Sequence, residues 1–251
     1  MGKNELSINI LFPVLNEKLR LRSGIERTMQ YLKANVTIPY SVTILDNGSD
    51  DETPKIGQEL EEEYLEVSYV RMEERGVGIA FRKGIELNKS DIVGYMDIDL
   101  STDLKYLGKT IKIFQEKPEL QYVNGSRFHK KSDTRGRKWY RKLTSRGLVI
   151  LLKTFFHMKA TDAVCGFTFL RKDVAIELVG ESSNDNGWFY TVELLLRAER
   201  NEMNIYDMPV EWQEDYNTTV KIWKTIKNYL KRMYSLKKTF RVEERERRRK
   251  C

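Results

Sequence analysis

Apolar residues along the first half of the chain alternate between two periods, and that alternation predicts an architecture. Ile8 to Phe12 is a short apolar run interrupted at Asn9, the profile of a strand. Glu17 to Lys33 spaces its apolar residues three and four apart, as an amphipathic helix does. Ser41 to Leu45, rich in Val, Thr and Ile, reads as a second strand, and Asp50 or Asp51 is placed to cap a helix near Glu52 to Tyr64. The series continues with a strand over Glu66 to Arg71, a helix from about Gly78 to Leu87, a buried strand over Ile92 to Met96 and a helix from Asp103 to Gln115. Strands and helices alternating at these intervals predict an α/β fold with a mostly parallel sheet flanked by helices on both faces. No repeat or Gly/Ser-rich linker divides the chain, so one domain is expected over residues 1–215 and a basic amphipathic helical tail over 216–251.

Composition narrows the class. With 251 residues, 40% hydrophobic and 32% charged, the chain is globular, long enough for a substantial core. Cys165 and Cys251 are too few for a disulfide framework, and a reducing compartment follows. The stretch from Ser7 to Leu15 lacks the basic leader and unbroken apolar core of a signal peptide.

The net charge of +7 suggests nucleic acid until its distribution is read. Residues 221–251 carry 13 Lys or Arg against 3 acids, a net +10 that leaves −3 for residues 1–220. No interleaving of aromatic and basic residues supports RNA binding, so no nucleic-acid partner is expected. A second basic stretch, Arg127 to Arg146, holds nine Lys or Arg and the single acid Asp133. It leads into the apolar run Leu148 to Phe156, too short to span a membrane and interrupted by Lys153. Two readings stand side by side, a core helix and a helix lying on anionic lipid. In the tail, Ile222, Trp223, Ile226, Tyr229, Leu230 and Met233 recur at helical spacing.

Chemistry concentrates where strands end. Asp97-Ile98-Asp99 follows the buried strand Ile92 to Met96, which sets two carboxylates at the carboxyl edge of the sheet, where α/β folds bind ligands. Such a pair suits a hard divalent cation, Mg2+ or Mn2+, with positions left open for diphosphate oxygens. Pro13, Asn16 and Glu17 end the first strand, and Asp46, Asn47, Gly48 and Ser49 end the second. There Asp46 could accept from a base edge while Glu17 and the Pro13 backbone line a nucleotide, although turn formation and helix capping explain Gly48, Ser49 and Asp51 equally well. Arg75-Gly76-Val77-Gly78, with Arg82 and Gly84, lacks the third glycine of a dinucleotide fingerprint, yet its backbone could approach a diphosphate.

Taken in order, these stretches resemble the inverting glycosyltransferases of family 2, especially the dolichyl- and undecaprenyl-phosphate sugar synthases, over roughly residues 7–215. Further matches are Gly125-Ser126-Arg127, Asp162 to Phe167, Trp188 to Leu195 and Pro209-Val210-Glu211-Trp212. The resemblance implies a GT-A, Rossmann-like fold and a hexose moved from a nucleotide-sugar donor, UDP-glucose in first place and GDP-mannose in second, to polyprenyl phosphate. The alternative acceptor is a hydroxyl of a cell-surface glycan or glycolipid. It further implies that Pro13, Asn16, Glu17, Asp46, Asn47, Arg75, Gly76, Gly78, Arg82 and Asp97 bind the donor, with Asp97 and Asp99 toward the metal. Arg127 would approach the acceptor phosphate, and Asp162 would be the catalytic carboxylate. Glu193 is a weaker catalytic candidate, since an ion pair with Arg197 one helical turn on accounts for it. The pattern departs from the family at Asn47, where Asp is usual, and at Val77, where Lys is usual. The membrane helix common in dolichyl relatives is missing, so a peripheral place on the cytoplasmic face of a membrane is expected, held by the basic segments around 127–158 and 221–250.

Overall fold

The computed structural model describes residues 6–134, 139–213 and 222–250. Strands β1 (Ile8–Val14), β2 (Tyr40–Asp46), β3 (Val67–Arg71) and β4 (Ile92–Met96) alternate with helices α1 (Leu21–Asn35), α2 (Thr53–Glu63) and α3 (Val77–Leu87), and α4 (Lys105–Glu116) follows β4. Beyond them come β5 (Tyr122–Ser126), α5 (Trp139–Phe156), β6 (Phe167–Arg171), α6 (Lys172–Glu181), α7 (Phe189–Arg200), β7 (Ile205–Pro209) and α8 (Ile222–Lys250). The sequence-predicted elements of the first half are all present. α1 starts later than its periodicity suggests because Asn16 turns the chain with a φ of +56°, and Arg20 and Leu21 both donate to the Glu17 carbonyl before regular helix begins. Asp51 accepts from the first helical N–H, that of Thr53, at 2.9 Å, as its placement before α2 suggested.

The seven strands form one sheet in the order β3-β2-β1-β4-β6-β5-β7. The parallel ladder runs through β3, β2, β1 and β4, β7 lies parallel to β5, and β6 runs antiparallel to both β4 and β5. Strand alternation divides the core in two. Ile8, Ile10 and Phe12 of β1 join Ile92 and Met96 of β4 under α1, α2 and α4. Leu11, Val93 and Tyr95 turn to the other face, beneath α3, α6 and α7.

α8 belongs to that second core. Tyr229, Met233, Leu236 and Phe240 are buried, Phe240 meets Phe156 edge-on at 5.9 Å, and Arg197 of α7 reaches Glu243 at 3.2 Å. The apolar stripe read in the tail thus faces protein at Tyr229 and Met233, while Leu230 stays 46% exposed. The side chains of Ile222, Trp223 and Ile226 lie outside the described residues.

Topology decides which residues can meet. Strand order reverses between β1 and β4, opening a crevice beyond their carboxyl ends. Residues that follow the parallel strands β1, β2, β4, β5 and β7 lie on this edge. So do residues that precede antiparallel β6, because Phe167 pairs with Met96.

Candidate active site

The center of this edge is the turn after β4. Leu100 donates to the Asp97 carbonyl at 3.0 Å with a φ of +52°, and Ser101 N–H donates to Asp99 Oδ1 at 2.9 Å. The two carboxylates are thereby held on one tight turn, each half-buried. The Asp97 carboxyl is pushed up to about 7, first by desolvation and then by Asp99 and Glu17, with Arg127 opposing. Three acids thus concentrate negative potential at the mouth of the crevice. No cluster of three or more His, Cys, Asp or Glu groups able to hold a metal occurs among the described residues. A cation there would take Asp97 and Asp99 and draw its remaining ligands from a substrate.

Gly166 is the residue that makes room for Asp97. Its carbonyl accepts the Asp97 N–H at 3.2 Å, and a Cβ at this position would stand 1.7 Å from Asp97 Oδ2. The sequence contained Gly166 within a motif but gave it no role, since only the β4–β6 pairing sets it against the carboxylate.

Arg127 and Asp162 meet each other rather than standing apart. The Arg127 guanidinium donates through Nε to Asp162 Oδ2 at 2.7 Å and through Nη2 to Oδ1 at 3.1 Å. Asp162 also accepts the Arg127 and Val164 backbone N–H groups, each at 3.1 Å, and is wholly buried. Burial pushes the Asp162 carboxyl up, but Arg127 outweighs it and holds the group below the usual carboxylate range. A carboxylate that accepts four hydrogen bonds and is hard to protonate is a poor base. Asp162, expected as the catalytic carboxylate, is thus found as the ion-pair partner of Arg127. The guanidinium also lies 5.6 Å from the ring centers of both Phe128 and Trp212, so the Pro209-to-Trp212 stretch after β7 walls this pair.

Glu193, the weaker catalytic candidate, is engaged as well. It is buried on α7, accepts from Ser183 N–H at 2.9 Å and from the Ser183 hydroxyl at 2.5 Å, and takes Arg197 Nε at 2.9 Å. The i,i+4 ion pair seen in the sequence is present, and the carboxylate serves the α6–α7 connection.

The loops after β1 and β2 tie each other down. Asn16 N–H donates to Ser49 Oγ, Asn16 Oδ1 accepts from Asp50 N–H, and Glu17 N–H donates to Thr53 Oγ1. The Glu17 carboxylate holds Arg20 at 2.7 Å, and Pro13 sits within β1 beside Leu45. Asp46, expected at a base edge, is wholly buried, with Oδ1 accepting from Ser49 N–H and Oδ2 from the Tyr69 hydroxyl. Its work is to hold the turn and Tyr69. Asn47 is 3% exposed, and its Oδ1 has no hydrogen-bond partner among the described residues.

The glycine-rich turn also departs from expectation. Gly78 N–H donates to the Asn186 carbonyl at 3.1 Å, and Arg82 donates to the Asp185 carbonyl at 2.9 Å and Asn186 Oδ1 at 2.7 Å. Cβ atoms at Gly76 and Gly78 would each come within 2.1 Å of carbonyl oxygens in residues 185–186. These glycines admit a neighboring loop, which takes up the Gly78 amide of the turn whose spacing suggested a diphosphate cradle. Arg75 points elsewhere, to Asp50 at 3.0 Å.

The family model described as glycosyl transferase family 2 matches residues 9–179. Glycosyltransferase AglD of Haloferax volcanii is 27% identical over 224 residues, which is 88% of this chain and 35% of that protein, so the chain spans about a third of that relative's length. A dolichyl-phosphate beta-glucosyltransferase of Mus musculus is 28% identical over 221 residues, 82% of this chain and 67% of that protein. Glucosyl-3-phosphoglycerate synthase from Mycobacterium tuberculosis, in complex with Mn2+, uridine-diphosphate and glucosyl-3-phosphoglycerate, superposes with a TM-score of 0.68 at 16% identity, covering 92% of this chain and 80% of that one. At that identity the likeness is one of fold.

Proposed function

The chain belongs to glycosyl transferase family 2, and from that premise we propose that it moves a hexose, glucose first, from a nucleotide diphosphate to a polyprenyl phosphate at a membrane surface. The observation that carries the choice of acceptor is the engagement of Asp162 and Glu193 in buried ion pairs. A hydroxyl acceptor needs a base to take its proton, whereas a phosphate monoester is already an anion near neutral pH. The names of the dolichyl-phosphate relatives support the same acceptor.

Asp97 and Asp99 fit a divalent cation, because the two carboxylates and Glu17 gather negative potential that, at Asp97, the Arg127 guanidinium opposes without reversing. When bound, Mg2+ or Mn2+ supplies charge neutralisation for the departing diphosphate. The donor class draws support from the uridine-diphosphate and Mn2+ complexes of the fold neighbor. The protein's own part is to position. Arg127, locked by Asp162 and flanked by Phe128 and Trp212, orients the acceptor phosphate, while the loops ending in Asn16 and Asn47 line the nucleotide. As the acceptor oxygen bonds to the anomeric carbon from one face, the bond to the diphosphate breaks on the other, and the anomeric configuration inverts.

Nucleotide release from UDP- and GDP-sugars, measured with and without a short polyprenyl phosphate, tests this directly. Release stimulated by the lipid and lost both in EDTA and in Asp99→Asn is the expected result. Release indifferent to the lipid but stimulated by a glycan would move the acceptor to a hydroxyl.

Membrane contact falls to α5. No helix among the described residues is long and apolar enough to cross a membrane. α5 instead buries Val149 and Leu152 on one side and exposes Trp139 (76%), Leu143 (64%) and Ile150 (63%) along the opposite side. At 100° per residue these three fall on one line, with Lys142, Arg146 and Lys153 beside it and no acid in the helix. Arg146 lies 5.8 Å from the Phe128 ring that Arg127 also covers, which ties this face to the acceptor side of the site. Burying each apolar side chain in lipid contributes about 1.5–3 kcal/mol, so Ile150→Glu is expected to weaken binding to phosphatidylserine vesicles by roughly 10- to 100-fold. Co-sedimentation measures this, and unchanged binding would remove α5 from the membrane.

A further inference from the structure

The backbone after β7, residues 209–213, is bonded to both halves of the site. Backbone groups of an extended segment point alternately to either side, and this one finds partners on each. Toward β5 and the loop that begins with Arg127, Val210 N–H donates to the Ser126 carbonyl at 3.1 Å, and the Val210 carbonyl accepts Asp133 N–H at 3.2 Å. Trp212 N–H donates to the Asp133 carbonyl at 2.8 Å. Toward the turn after β4, the Glu211 carbonyl accepts Asp103 N–H at 3.4 Å, and Gln213 N–H donates to the Ser101 carbonyl at 2.8 Å. Thr102 and Trp212 pair as a β-bridge between these two bonds, and the Glu211 carboxylate holds Lys105 at 2.6 Å. Ser101, gripped in this way, is the residue whose own N–H donates to Asp99 Oδ1. The Trp212 ring meanwhile lies over the Arg127 guanidinium, its center 5.6 Å away.

Asp162 fixes one edge of that guanidinium, through Nε and Nη2. Aromatic rings over its face supply the remaining constraint, which is strongest where the cation is shielded from water, and the Arg127 side chain is only 7% exposed. Phe128 is next to Arg127 in its own loop, whereas the Trp212 ring is carried by a backbone bonded to the turn of Asp97 and Asp99. Residues 162–166 tie the same two parts from the other side, at the guanidinium edge and at Asp97 N–H. We propose that Trp212 is a positioning residue for the transfer. Its ring sets the plane of the Arg127 guanidinium, and its backbone registers that plane to the Asp97–Asp99 turn. Acceptor phosphate and departing diphosphate are then held in one frame, as a displacement between atoms about 3–3.5 Å apart requires. This inference rests on the lipid-phosphate acceptor reading given above.

The test compares the full-length protein with Trp212→Leu, which keeps an apolar side chain but has no ring face, and with Trp212→Phe, which restores one. Binding of a short polyprenyl phosphate is measured by calorimetry in EDTA, where no metal takes part. Trp212→Leu is expected to weaken it by roughly 10- to 30-fold, and Trp212→Phe to recover most of the loss. In turnover of UDP-glucose with Mn2+, the same change appears in KM for the lipid phosphate. Gln213→Pro leaves the ring and removes the N–H that the Ser101 carbonyl accepts, at a position whose preceding residue is already in a β-bridge. There kcat at saturating lipid falls by roughly 10-fold or more while that KM holds. The ratio of lipid-stimulated to lipid-free nucleotide release, taken within one sample, reads each effect even where a variant melts early, since both rates count the same folded molecules. Trp212→Leu and Trp212→Phe proteins that bind the lipid phosphate alike would overturn the role of the ring. An unchanged kcat in Gln213→Pro would overturn the link to the metal-side turn. Wild-type protein whose nucleotide release ignores the lipid phosphate fails at the acceptor reading, and the inference falls with it.

Discussion

Gly166→Ala is expected to lower kcat by roughly 100-fold or more while leaving the protein folded. The added Cβ would lie 1.7 Å from Asp97 Oδ2 and 2.1 Å from the carboxyl carbon, far inside any real contact. Gly166 is locked by the β4–β6 ladder, where Phe167 pairs with Met96 and Asp97 N–H donates to the Gly166 carbonyl, so the backbone cannot retreat without losing strand pairing. The carboxylate must swing instead, and in the proposed chemistry an ångström of misplacement at a metal ligand suffices for the loss. Nucleotide-release rates measure it, together with the thermal shift produced by Mn2+, which should shrink in the variant. Retained kcat would show that Asp97 is dispensable or that the β6 edge yields.

Asp162→Ala is expected to cost about 3–5 kcal/mol of stability, because it leaves the Arg127 guanidinium buried without its counter-charge. For a chain of this size that corresponds to a fall of roughly 6–20 °C in melting temperature. Removing both charges in Arg127→Met with Asp162→Leu should recover much of the stability, since a hydrophobic pair of similar volume avoids desolvation. It should not recover transfer, because the cation proposed to orient the acceptor is gone. Differential scanning of the single and double variants separates the two roles. An Asp162→Ala protein that melts like the wild type would refute the ion pair as described. The pH dependence has a definite sign. Asp162 is held below its ordinary value in the folded state, so its contribution is present above about pH 4 and is lost as pH falls through the lowered folded value.

The division between sequence and tertiary structure runs through particular residues. Period and spacing were enough for the alternating half of the chain: β1 to β4 and the helices between them follow from local apolar patterns that cannot serve the other secondary structure. Asp97 and Asp99 were legible too, because a carboxylate pair directly after a buried strand can only emerge at its carboxyl end. The Glu193–Arg197 pair is a contact four residues apart, and helical geometry alone places it.

Residues far apart in the chain were decided otherwise. Arg127 and Asp162 are 35 positions apart and each reads as a catalytic candidate when seen alone. Only the insertion of antiparallel β6 between β4 and β5 makes them partners, because it reverses which end of a segment reaches the site edge. Gly76, Gly78 and Arg82 suggested a phosphate cradle, since the sequence cannot show that residues 185–186 occupy the space those glycines leave. The apolar stripes of α5 and α8 have the same helical period, yet α8 is folded into the core and α5 exposes a line of Trp139, Leu143 and Ile150. Periodicity determines that a face is apolar. Which surface covers that face is a property of the whole assembled sheet, since burial depends on every other element competing for the same core.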